Sequence, residues 1–135
     1  MKQGFHRHVV LAWHKTNPMP VANQHYVPDT EFFVHAWQKG SAPVGQISEL
    51  GRYILGPVGK SEHDHPTVKP DYVMDKILRN VAGETIVDCF MGSGSTGVAA
   101  VRAGRTFIGV EHNPKHFELA CQRIKAAVQE GCDHA

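Results

Sequence analysis

The sequence predicts an α/β fold built on a mostly parallel sheet, and three observations predict it. The C-terminal half alternates helical and strand-like runs in the order helix, strand, helix, strand, helix, which implies parallel strands joined by crossover helices. A glycine-rich turn, Gly92 to Gly97, stands between one of those strands and the helix after it. Two short apolar runs near the N-terminus read as further strands, separated by too many residues for a tight hairpin.

Taken in order, His8 to His14 is a short apolar run and Glu31 to Gln38 an aromatic-rich one; both read as strands. Asn17-Pro18-Met19-Pro20 and Val27-Pro28-Asp29 between them are breaker signals. Residues 39–64 hold Gly40, Pro43, Gly45, Gly51, Gly56, Pro57 and Gly59 and read as a loop or connector. From Pro70, well suited to a first helical position, Val73, Met74, Ile77, Leu78 and Val81 recur at helical spacing until Gly83. Thr85 to Asp88 is a short buried strand, Ser95 to Ala103 a helix closed by Gly104, and Thr106 to Glu111 a second strand. Asn113 can cap a last helix begun by Pro114, with the stripe Phe117, Ala120, Cys121, Ile124 and Val128. The resulting division is a strand region 1–38, a connector 39–64, a helix–strand–helix–strand–helix region 65–130 and a tail 131–135.

Bulk properties exclude several classes. The 135 residues suffice for one domain, and the net charge of +1 carries no electrostatic signature of a phosphate-binding surface. No apolar run approaches the ~18 residues of a membrane span, and the first residues lack the apolar core of a signal peptide. The expected location is the cytoplasm. Cys89, Cys121 and Cys132 are odd in number and lack CxxC spacing, so reduced thiols are expected rather than a disulfide framework or zinc ribbon. His112 and His116 stand at i, i+4 but find no third ligand, and Pro114 starts the helix between them; no metal site is expected. Trp13 and Trp37 could stack on bases, but sheet packing is the plainer reading.

The strongest local signal is Asp88-Cys89-Phe90-Met91-Gly92-Ser93-Gly94-Ser95-Thr96-Gly97. Glycines allow close approach of a ligand to the backbone, and the following helix offers free N–H groups. Glu111 lies 23 positions after Asp88, at the end of the next strand, where an acid can accept hydrogen bonds from both ribose hydroxyls. The string lacks the lysine of a P-loop. The Gly92, Gly94, Gly97 spacing leaves a dinucleotide fold, and hence an oxidoreductase, formally open. Against it stands Asp88, whose carboxylate would repel a pyrophosphate but suits the ammonium group of a methionine moiety.

His65-Pro66-Thr67-Val68-Lys69-Pro70 before a helix, the Asp88 to Gly97 string, and Phe107-Ile108-Gly109-Val110-Glu111 together resemble the N4-cytosine/N6-adenine DNA methyltransferases. The resemblance is to their permuted group, in which the catalytic motif comes first and the cofactor motifs last. It covers His65 to about Val128 well. The stretches Trp13 to Pro18 and Glu31 to Lys39 look like the two late strands of that fold. What it implies is part of a Rossmann-like S-adenosylmethionine-dependent methyltransferase fold, a mostly parallel sheet with an antiparallel late strand pair. It implies that Asp88, Phe90, Gly92 and Gly94, with Ser93 and Thr96 of the same motif, hold the methionine part of S-adenosyl-L-methionine. Glu111 would bind the ribose, Thr67 and Lys69 would flank the cofactor from the other side, and His112 and Asn113 would lie near the adenine. The implied reaction is methyl transfer to an exocyclic amine of a base in double-stranded DNA.

That family's catalytic motif, Asp/Asn/Ser-Pro-Pro-aromatic, does not occur in the 135 residues, and no catalytic residue is assigned. The motif accepts hydrogen bonds from the target amine and stacks an aromatic ring on the extruded base. Asn17-Pro18-Met19-Pro20 is the nearest string, but its prolines are separated and no aromatic follows; it reads as a loop. The expectation is a truncated copy, inactive alone, whose partner is a complementary N-terminal fragment. The alternative is a non-catalytic cofactor-binding remnant or subunit. Either way the strand holding Asp88 should show an open edge and exposed apolar faces.

Overall fold

A computed structural model describes residues 4–20, 22, 25–59 and 69–132, the last of these by its backbone only. The chain divides into two compact units, residues 1–60 with 79–82, and residues 61–78 with 83–135.

The first unit is a mixed three-stranded sheet. Strand β1 (Arg7–Lys15) is central, β2 (Thr30–Trp37) pairs with it antiparallel, and β3 (Tyr53–Gly56) pairs with it parallel. Alternation sorts the side chains to two faces. Leu11, Trp13 and Ile54 are buried on one face, with Trp13 only 1% exposed and its indole N–H donating to the Gly56 carbonyl at 3.3 Å. Val10, Phe32, Val34, Tyr53 and Leu55 stand exposed on the other.

Strand β3 lies inside the segment read from sequence as a connector. Its run is only four residues long, bounded by Gly51 and by Gly56-Pro57, and its partner lies about forty residues earlier, so no local period announces it. Two polar side chains organise this unit's loops. The Asn17 amide donates to the Val58 carbonyl (3.3 Å) and its oxygen accepts from the Val58 N–H (2.6 Å), which gives the Asn-Pro string a structural task. The Asn80 side-chain amide donates to the Glu49 carbonyl (3.2 Å), while the Asn80 backbone carbonyl accepts from Val44 N–H (3.3 Å).

The second unit holds most of α1 (Asp71–Arg79), then β4 (Thr85–Asp88), α2 (Ser95–Arg102), β5 (Thr106–Gly109) and α3 (Pro114–Cys132). Helix α1 ends two residues before the expected Val81, and α3 runs two residues into the expected tail; Pro70 precedes α1 and accepts its first hydrogen bond. Strands β4 and β5 pair in parallel from Thr85↔Thr106 to Asp88↔Gly109, with α2 as the crossover. The described strands thus form a mixed sheet of three and a parallel pair, rather than one sheet.

Helices α2 and α3 pack together, and α2 packs on both strands. Val98, Ala99, Ala100, Ala120 and Ala127 are buried there. The close approach depends on Gly97, where an added Cβ would lie 2.5 Å from Ile124 Cδ1 and 2.7 Å from Phe107 Cε1. The buried face of α3 therefore centres on Ala120, Ile124 and Ala127, and the expected stripe members Phe117 and Val128 are exposed at its margins. Among the described residues β4 pairs with β5 alone, and Val87, Ile108 and Val110 on the face away from α2 stand 51–59% exposed.

Candidate cofactor site

The site grows from the C-terminal ends of β4 and β5. Beyond the ladder, Val110 N–H donates to the Asp88 carbonyl (2.8 Å) and Met91 N–H to the Val110 carbonyl (3.0 Å), so the two strand ends stay joined as the chain turns. The turn then reverses through Gly92 (φ 53°) and Gly94 (φ 80°), both left-handed. Gly94 needs glycine twice over, because a Cβ there would also sit 2.9 Å from Ala120 Cβ. Gly94 is also the N-cap of α2, and no side chain caps that helix. A helix start of this kind offers backbone N–H groups as donors.

Two carboxylates frame the turn. Asp88 Oδ1 accepts from Phe90 N–H at 3.0 Å, an Asx-type turn that sets the chain direction after β4. Glu111 spans two segments: Oε2 accepts from Gly92 N–H (2.9 Å) and Oε1 from Asn113 N–H (2.8 Å). Its carboxyl is held below the usual carboxylate range. The Asn113 N–H is the largest cause, opposed by partial desolvation and aided by the Gly92 N–H, the charge of His116 and the His112 N–H. Each oxygen keeps a further lone pair, so the carboxylate can accept from ribose hydroxyls while bracing the turn.

The other expected residues divide. Phe90 is 90% exposed, a ring standing in solvent beside the turn. Ser93 is buried and contributes its carbonyl to the fold, and Thr96 lies half-buried in the first turn of α2. His112 and Asn113 are exposed after β5; Asn113 Oδ1 caps α3 by accepting from Lys115 N–H at 3.0 Å. Lys69 is half-buried ahead of α1. Thr67 lies outside the described residues. Among the described residues no group of three or more His, Cys, Asp or Glu could hold a metal ion, and no helix is long and apolar enough to cross a membrane.

One residue at the turn escaped the sequence reading. Arg123 of α3 donates from Nη1 to the Ser93 carbonyl at 2.6 Å, and the same nitrogen lies 3.5 Å from Ser95 Oγ. Burial, with the charge of Arg102, pulls its pKa down against the attraction of Asp71. The available signal was a cation set between Ala120 and Ala127 on an otherwise apolar helix face.

These residues fit the nucleoside cofactor that the sequence implies: a helix start with no side-chain cap, a turn with two left-handed glycines, and an acid at or just past the end of each strand. The family model for N6/N4 DNA methylases matches residues 1–122. The chain belongs to that DNA methylase family. Its membership removes the dinucleotide-dependent oxidoreductase as a rival. The type II methyltransferase M2.DpnII of Streptococcus pneumoniae is 30% identical over 134 residues, covering 86% of this chain and 50% of that protein. M2.LlaDCHI of Lactococcus lactis subsp. cremoris is 29% identical over 141 residues, covering 90% and 52%. Among solved structures, the M1.HpyAVI–SAM complex aligns with a TM-score of 0.72 and 34% identity, covering 85% of this chain and 60% of that one. The cytosine-N4-specific PvuII DNA methyltransferase, at 17% identity and a TM-score of 0.64, shares the fold. The chain spans about half the length of the curated relatives it matches.

Proposed function

We propose that this chain is the S-adenosylmethionine-binding half of a type II DNA methyltransferase acting on adenine N6 or cytosine N4. The observation that carries the reading is Glu111, which joins the glycine turn to the end of the second parallel strand through hydrogen bonds to Gly92 and Asn113. A carboxylate so placed faces both a ribose and the backbone that would hold the rest of the nucleoside. Bound cofactor would supply an activated methyl group on a sulfonium. Asp88 would receive the ammonium of its methionine part, with Gly92, Ser93, Gly94 and Thr96 forming the floor and the Phe90 ring excluding water. His112 and the Asn113 amide would border the adenine, and Thr67 and Lys69 the opposite side. The M1.HpyAVI relative solved as a complex with SAM supports this ligand.

The acceptor would be double-stranded DNA in the cytoplasm. The catalytic tetrapeptide absent from these 135 residues would come from a complementary segment seated against the edge of β4 that pairs with no strand among the described residues. Titration calorimetry with S-adenosylhomocysteine tests the cofactor half: saturable one-to-one binding is expected, with no heat from NAD. Transfer of labelled methyl to DNA tests the other half. The chain alone should give none, and addition of a family fragment bearing the Pro-Pro-aromatic motif should give signal. Methylation by the purified chain alone would overturn the division of labour.

A further inference from the structure

Within the turn the Gly92 and Gly94 N–H groups are met by the Glu111 carboxylate and the Met91 carbonyl, and a buried carbonyl there needs a donor of its own. In the second unit that need falls on Ser93, a residue only 5% exposed between the two left-handed glycines. Its carbonyl is met by a side chain from thirty residues further on, the Arg123 guanidinium at 2.6 Å. The same nitrogen approaches Ser95 Oγ, in the first residue of the uncapped α2. On either side of Arg123, Ala120 and Ile124 fill the space that Gly94 and Gly97 leave open, so α3 presses on the turn at three consecutive points.

We infer that Arg123 is a positioning residue for the cofactor: its guanidinium, hydrogen-bonded to the Ser93 carbonyl, holds the Gly92–Gly94 backbone in its ligand-ready curvature. This rests on the cofactor reading above. A guanidinium suits the task because its charge survives partial burial and its rigid plane fixes the direction of the two N–H groups on Nη1, the nitrogen that meets both the carbonyl and the hydroxyl. An ammonium offers donors without that fixed plane. An apolar side chain leaves the Ser93 carbonyl buried and unpaired, and relief comes from rotating the peptide units on which the ligand rests.

The test is titration calorimetry of the full chain with S-adenosylhomocysteine, with a thermal melt of every variant. Arg123→Met should weaken binding roughly tenfold, the loss of one charge-assisted hydrogen bond. Arg123→Lys should lie between it and the parent, at about threefold. Ala127→Gly is the control for helix packing alone: Ala127 is buried on α3 a turn beyond Arg123, so its loss should lower the melting temperature and leave the dissociation constant unchanged. Guanidinium ion at millimolar concentration should restore part of the affinity of Arg123→Ala. Parent-like dissociation constants for both Arg123→Lys and Arg123→Met would overturn the inference. If Arg123→Met melts below the assay temperature, Arg123→Lys decides: weaker binding at an unchanged melting temperature supports it, and parent affinity overturns it. If the parent chain itself shows no heat with S-adenosylhomocysteine, it is the cofactor reading that fails.

Discussion

The two units reach their folds by different routes. In the second, β4, the glycine turn, α2 and β5 follow one another within 25 residues, from Thr85 to Gly109, and the site is made by neighbours in sequence. In the first, β1 is held by a partner on each side, one antiparallel and one parallel, and the parallel one arrives about forty residues later. A functional site wants precise local geometry, which short connections and small residues supply. A supporting sheet needs only that each strand find a partner and an apolar neighbour. The units also share a feature: each presents an apolar sheet face to solvent, Val10, Phe32, Val34, Tyr53 and Leu55 in one, Val87, Ile108 and Val110 in the other.

Substitutions at the centre of each unit sharpen the contrast. Trp13→Ala should cost the first unit about 3–5 kcal/mol by leaving a cavity on the buried face of its sheet. Hydrogen exchange should show the loss in β1–β3 amides while the β4–β5 amides keep their protection. Gly94→Val should cost the second unit roughly 2–5 kcal/mol, from the left-handed backbone and the collision with Ala120. It should also abolish S-adenosylhomocysteine binding, with β1–β3 protection intact. Equal loss of protection in both units from either substitution would show that they unfold as one.

Smaller effects probe the site. Glu111→Gln removes the charge from an acceptor of two backbone N–H groups and should weaken nucleoside binding about tenfold by calorimetry. Because the folded state depresses the Glu111 pKa, its stabilising contribution is full above the unfolded value and is lost as pH falls through the folded one. Acid titration of the β4–β5 unit should therefore be shallower below about pH 4.3 in Glu111→Gln than in the parent. Asn113→Ala should cost about 1 kcal/mol through loss of the α3 cap, read from the melting temperature.

Much of the second unit was legible beforehand. The Asp88 to Gly97 string, the strand that follows and the Asn113-Pro114 helix start are all local signals, and the structure has each element within two residues of expectation. Two features were not legible. Strand β3 is too short and too tightly bounded by glycine and proline to show a period, and only its pairing with β1 makes it a strand. The role of Arg123 needs the meeting of α3 with a turn thirty residues earlier.

By itself the amino-acid sequence determined the α/β class, the glycine turn, the acid after the next strand and the want of a Pro-Pro-aromatic motif, because each is written in consecutive residues or a fixed offset. Tertiary structure alone decided the parallel pairing of β3, the Arg123 brace beneath the turn and which apolar faces meet water. Those depend on which distant segments come together, and a one-dimensional pattern does not carry that information.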